Sequence, residues 1–124
     1  LLLTTFMKRP VDLYPNEIGV VYRNPTTGEY FRFTWLEWYQ RTCRLARALR
    51  GPLGVQPGMP GEPGDRVATM ALNHHRHLEL YYAVPCTGAV LHPISSATRQ
   101  PTRPPPRIMT FLGLVVAPIA SGAV

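Results

Sequence analysis

Lysine is almost missing from this chain. Lys8 stands alone among thirteen cationic residues, and all the others are arginine. A phosphate loop needs glycines leading into a Lys-Ser/Thr pair at a helix start. Lys8 sits in no such setting, and neither GxGxxG nor a Gly-flanked nucleophile elbow occurs anywhere. Cysteine is scarce too: Cys43 and Cys86 are the only two, each within an apolar pattern. That excludes a disulfide framework and suits two buried thiols in a reducing, cytoplasmic setting. Long apolar runs are also lacking. The nearest approach, residues 108–124, is short for a bilayer span and is broken by Pro118, so no stable membrane anchor is expected. The opening LLLTTFMKRP is too short for a signal peptide, and its charges follow its apolar part. Position 1 is not Met, so the start is expected to be clipped.

Proline and glycine are abundant, at 14 and 10 in 124 residues, but they cluster. Pro57, Pro60 and Pro63 share one stretch with Gly58, Gly61 and Gly64; Pro101, Pro104, Pro105 and Pro106 share another. The first mimics collagen triplets over too few repeats to sustain a triple helix, so it reads as a loop. The net charge is +6 with a pI near 9.9, which invites a nucleic-acid partner. Its distribution argues against one. Half the excess comes from Arg99, Arg103 and Arg107 in the tail. Arg44, Arg47 and Arg50 crowd the end of a predicted helix, where cations favour the negative pole of the helix dipole.

Ile18–Arg23 and Tyr30–Thr34 are rich in β-branched and aromatic residues. The connector Asn24-Pro25-Thr26-Thr27-Gly28 between them predicts a hairpin, with Gly28 in the left-handed position. Thr34-Trp35-Leu36-Glu37 is a capping box. After it, Trp35, Trp38, Thr42, Leu45 and Leu49 form one apolar helical stripe, with Glu37, Arg41, Arg44 and Arg47 on the wet face. Gly51-Pro52 stops that helix. Gly64 to Ile94 reads as strand, helix, strand. Arg66–Leu72 and Ala89–Ile94 are apolar runs of the kind that pair in parallel, with the crossover helix expected over His74–Ala83. Asn73 is the expected N-cap, Leu78, Tyr81 and Tyr82 the apolar side, Arg76 and Glu79 the wet side, and Pro85 with Gly88 the stop. A right-handed crossover is expected. The predicted core adds Val20, Tyr22, Phe31, Phe33, Val67, Met70, Leu72, Val90 and Leu91 to the residues of the two helical stripes, Thr42 excepted.

The chemistry-bearing residues make no complete site. His74 and His77 stand at i and i+3, not the i and i+4 of a helical zinc site, and His75 points elsewhere. His92 would approach only through folding. Cys86 and Ser95-Ser96 lack a base held by a third group, and Cys86 reads as a small buried apolar residue. No catalytic, cofactor-binding or metal residue is therefore assigned.

Taken together, the order of short motifs resembles the extreme N-terminal segment of the adenylate-forming acyl-CoA synthetases, the AMP-binding enzyme superfamily. The matching positions are Phe33-Thr34-Trp35-Leu36-Glu37 at the helix start, then Arg41, Leu45, Ala46, Ala48 and Leu49. Pro63-Gly64-Asp65-Arg66-Val67-Ala68, Leu72-Asn73 and Gly88-Ala89-Val90-Leu91-His92-Pro93-Ile94 follow in the right order. The wording from Asn73 to His92 is most similar to the fatty-acyl-CoA synthetase branch.

The resemblance implies an α/β fold, a partial N-terminal subdomain built as a hairpin, a helix and a β-α-β crossover. It implies ATP, Mg²⁺ and coenzyme A for full-length members, with a fatty acid as substrate, but no cofactor for this chain. The family's phosphate loop, adenylate motif, ribose-binding Asp and mobile-domain Lys have no counterpart here, so no family residue role is carried over. After Ser95 the composition turns abruptly to Arg, Pro, Ala and Ser, as a frame shift in a GC-rich gene or a misplaced gene end yields. The expected division is a family segment at 1–95 and a poorly ordered, irregular Pro/Arg-rich tail at 96–124. The segment is expected to be inactive alone and to self-associate through exposed sheet edges. The alternative is a small non-catalytic interaction module whose apolar tail docks a partner or membrane, with residues 111–116 covering the open edge.

Overall fold

A computed structural model of the chain describes residues 3–71, 73–94, 109–111 and 114–119. Helix α1 spans Leu3–Leu13. No local signal announces it: Met7 is its one deeply buried residue among those described, and Pro10 lies inside it. Lys8 and Asp12 pair one turn apart at 2.7 Å on its wet side. The hairpin follows with the predicted bounds, β1 at Ile18–Arg23 and β2 at Tyr30–Thr34, antiparallel with an irregularity between Ile18 and Val20. Asn24 organises the turn: its Oδ1 accepts from the Thr26 amide at 2.9 Å, and its carbonyl accepts from the Gly28 amide at 2.8 Å. Gly28 takes φ +77°, a conformation that disfavours any side chain.

Helix α2, Trp35–Arg50, starts on the predicted capping box with both reciprocal bonds formed. The Glu37 amide donates to Thr34 Oγ1 at 3.2 Å, and the Thr34 amide donates to Glu37 Oε2 at 2.9 Å. Gly51 caps its end by donating to the Arg47 carbonyl. The Pro/Gly-rich stretch is a loop, as read. It still contributes Val55, 4% exposed, to the core.

Strand β3 is Arg66–Met70, α3 is His75–Cys86 and β4 is Val90–Pro93. β3 and β4 pair in parallel, so the crossover forms as expected. Three boundaries need correction. His74, not Asn73, is the N-cap of α3. Pro85 sits inside the last turn rather than stopping the helix. β3 ends at Met70, and the side chain of Leu72 lies outside the described residues. Within the tail, β5 (Met109–Phe111) and β6 (Leu114–Ile119) pair with each other, and β6 pairs antiparallel with β3. The sheet order is β4-β3-β6-β5, with the hairpin as a separate two-stranded sheet.

The core lies between β3, α3 and the end of α2. Leu49, Val55, Val67, Leu80, Ala83, Val84 and Ala89 form it, with Leu45, Ala46, Leu53 and Leu91 against it. Trp38 is buried, as predicted. Met70, Leu78, Tyr81 and Val90 are not core: each is about 40% exposed. Val90 is uncovered because β4 is an edge strand. Leu78 and Tyr81 are uncovered because α3 turns a different face inward. Phe31 is also largely exposed, on a hairpin that joins no larger sheet.

Two backbone details carry this frame and can be tested by melting the chain under circular dichroism. Removing the cap hydroxyl with Thr34→Ala should cost about 1 kcal/mol, a fall in Tm of about 4–8 °C. A Cβ at Gly19 would fall on the Trp35 indole. Gly19→Ala should therefore cost more, about 1–3 kcal/mol. Melting points equal to the parent's for both would refute the cap and the close approach as determinants.

Candidate functional site

The carboxyl end of β3 delivers the chain to the start of α3, and the histidines gather there. His74 holds an extended backbone, φ −144° and ψ 150°, and its Nδ1 accepts from the Arg76 amide at 3.1 Å. It thus satisfies one of the free amides of the helix start. Its ring lies 4.1 Å from the rings of both Tyr22 and His75. His75 is 7% exposed, and the hairpin surrounds it, with Tyr22 and Phe33 each at 5.1 Å and Phe31 at 5.9 Å. Its Nδ1 is buried with no hydrogen-bond partner. His77 faces the other way, its Nε2 3.1 Å from Thr69 Oγ1 on β3 and its ring 5.1 Å from Tyr81. A groove of about 310 Å³ runs past the cluster, lined by Val20, Val21, Tyr22, His74, Leu78 and Tyr81 among others.

Burial holds the His75 ring down to a pKa of about 4, helped by the neighbouring His74, Arg41 and Arg76. Burial also lowers His74, with Arg76 acting the same way and Glu79 opposing. Both rings are neutral at pH 7. Two of the cluster's ring nitrogens are already engaged. His74 spends Nδ1 on its own helix and His77 Nε2 lies against Thr69. Among the described residues no group of three His, Cys, Asp or Glu is placed to hold a metal ion. His92 is exposed on β4.

The wet faces drawn from helical periodicity are corrected at one point. Arg41 and Glu79 meet across the α2–α3 seam, Nε to Oε1 at 2.6 Å, with the Glu79 side chain 6% exposed. The guanidinium also lies 4.8 Å from the Phe33 ring centre. Periodicity separates apolar from polar faces; it does not reveal that two polar residues 38 positions apart close on each other. Neither thiol is buried as expected: Cys43 is half-buried and Cys86 exposed. Partial burial and then Cys43 raise the Cys86 thiol, the opposite of an activated nucleophile. Ser95 and Ser96 lie outside the described residues.

The arrangement offers aromatic and imidazole surface with one carboxylate, already engaged. It supplies neither the glycine-bounded lysine nor the free carboxylates that a magnesium–nucleotide complex requires, so those groups do not fit here.

What this assembly of hairpin, capped helix and crossover belongs to is settled by comparison. The profile of the AMP-binding enzyme family matches residues 7–107, most of the chain. The chain belongs to the AMP-binding enzyme family. The match runs past the change of composition at Ser95. A long-chain-fatty-acid–CoA ligase of Thermus thermophilus is 56% identical over 66 residues, which is 53% of this chain and 11% of that protein. A peroxisomal benzoate–CoA ligase of Arabidopsis thaliana is 38% identical over 92 residues, 74% of this chain and 14% of that protein. A medium-chain-fatty-acid–CoA ligase of Ectopseudomonas oleovorans is 46% identical over 70 residues, 56% of this chain and 12% of that protein. The chain thus spans about one eighth of the length of these curated relatives. Within the family fold described here, no helix among the described residues is long and apolar enough to cross a membrane.

The Arg41–Glu79 pair is the polar contact most open to test. Glu79→Ala should destabilise the chain by about 2 kcal/mol in urea titration. This is below the value for a fully buried pair, because the Arg41 side chain remains 36% exposed. Arg41→Met with Glu79→Leu should recover most of that loss, since both charges go together. Equal stability of Glu79→Ala and the parent would show the pair to be idle.

Proposed function

We propose that this chain is the opening segment of a fatty-acid–CoA ligase, an enzyme that activates a carboxylic acid with ATP and Mg²⁺ and passes the acyl group to coenzyme A. The observation that carries the reading is the 56% identity to the Thermus thermophilus long-chain-fatty-acid–CoA ligase. The wording from Asn73 to His92 resembles the same branch. Fatty acid and coenzyme A are then partners of the full-length enzyme, and nucleic acid is not a partner. The two free thiols suit a cytoplasmic setting. The change of composition at Ser95 favours an end of the segment proper near residue 95 and a distinct tail at 96–124, although the family match itself extends to residue 107. The open edge of β4 favours self-association.

The 124-residue chain alone is inactive on this reading. The sequence has no phosphate loop, and without one nothing stabilises charge on the transferring nucleotide. Purified chain should give no ATP–pyrophosphate exchange with any fatty acid. Exchange above background would overturn the proposal.

A second reading, a non-catalytic interaction module, is favoured by one observation: β6 occupies the edge of β3 and extends the sheet to four strands. Hydrogen exchange separates the two. Slow exchange at residues 114–119, comparable to β3, is expected of a module; fast exchange there alongside a protected β3 is expected of a ligase segment.

A further inference from the structure

We propose that neutral His75 latches the β1–β2 hairpin to the body of the chain, and that acidification releases the hairpin. The hairpin joins no strand of the four-stranded sheet. It is held at its root by chain continuity into α2, by two backbone bonds, Trp35 N to Glu17 O at 3.0 Å and Leu36 N to Pro15 O at 3.1 Å, and by the close seating of Gly19 on the Trp35 indole. Beyond the root, its inward face rests on the start of α3, where His75 is enclosed by Tyr22, Phe31 and Phe33. His75 is therefore the post on which the hairpin closes.

That post tolerates one charge state. A neutral imidazole has one N–H and one lone pair; the cation has two N–H groups, so it must place one at Nδ1. Nδ1 is buried and has no acceptor. The groups facing His75 do not compensate a positive charge. The hairpin faces it with the rings of Tyr22, Phe31 and Phe33. α2 supplies Arg41, a cation. α3 supplies His74 and Arg76, and its carboxylate, Glu79, is bound to Arg41 at 2.6 Å. Cation–π attraction opposes this, but Arg41 already lies against the Phe33 ring at 4.8 Å. Burial accordingly keeps the ring neutral down to about pH 4.

The sign follows from linkage. The closed state holds His75 below its ordinary pKa of 6.5, so it binds fewer protons than the open state. The latch is at full strength above about pH 6.5, weakens as the pH falls and reaches its minimum near pH 4. The closing equilibrium shifts by on the order of 10²-fold across that window.

Hydroxyl-radical footprinting read by mass spectrometry tests this on the full chain, whatever its state of association. From pH 7.5 to 4, oxidation of Tyr22 and Phe33 should rise several-fold, while Trp38 and Tyr82, packed edge-on at 5.0 Å in the α2–α3 seam, stay protected. His75→Phe keeps a ring in the cage without a titrating nitrogen and should abolish the rise. Flat Tyr22 and Phe33 profiles, the same rise in His75→Phe, or a parallel rise at Trp38 would overturn the latch. If His75→Phe leaves Trp38 unprotected at pH 7.5, NMR of ¹³C-labelled histidine in the parent chain decides: His75 titrating near 4 supports the latch, and titration near 6.5 overturns it.

Discussion

Gly64 and Gly88 meet backbone to backbone, and the crossover depends on that meeting. A Cβ on Gly64 would strike the Gly88 carbonyl on one side and the Gly58 amide on the other. With no side chain in the way, the Gly58 amide donates to Gly88 O at 3.1 Å. One residue on, the Val90 amide donates to Asp65 O at 2.8 Å, and β3 and β4 leave in register from Arg66 opposite Val90. Asp65 adds a clamp, accepting from the Gln56 amide at 2.8 Å through its carboxylate. The proline-rich loop is thereby tied down, and Val55 beside it enters the core. The motif Pro63-Gly64-Asp65 is thus a packing device: one residue lets backbones touch and the next pins a loop.

The second constraint lies in the choice of what α3 buries. Its buried residues are His75, His77 and Glu79 beside Leu80, Ala83 and Val84. Burying polar groups costs free energy unless each finds a partner. Two of the three do: His77 lies against Thr69, and Glu79 holds Arg41. These contacts fix α3 to β3 on one side and to α2 on the other with a directionality that aliphatic packing lacks. His75 is the exception, and it is the one that carries the hairpin.

The same choice explains what could and could not be read in advance. The hairpin and α2 were legible because their signals are local: a turn with Asn24 and Gly28, a reciprocal cap at Thr34 and Glu37, a stripe ending at Leu49. The parallel crossover was legible from two apolar runs and a helix-length gap. The face of α3 was not. Counting Leu78 and Tyr81 as apolar and Glu79 as wet puts the stripe close to half a turn from where it lies, because the sequence does not show that Arg41 waits opposite Glu79. Met70 and Val90 were misread for a related reason. Apolar strand residues signal burial in a wide sheet, and here their neighbours are few. Helix α1 escaped because Pro10 argues against a helix until the element packs on α2 and α3 and buries Met7.

This division bears on function. The motifs that place the chain in the AMP-binding enzyme family are cap, close-packed glycine, clamp and crossover, and each has a packing role on the page. A packing frame of that kind can serve enzymes whose substrates differ. Fold and function are separable properties of a chain. Here the residues that specify the frame are the ones present, and the frame is enough to show the family.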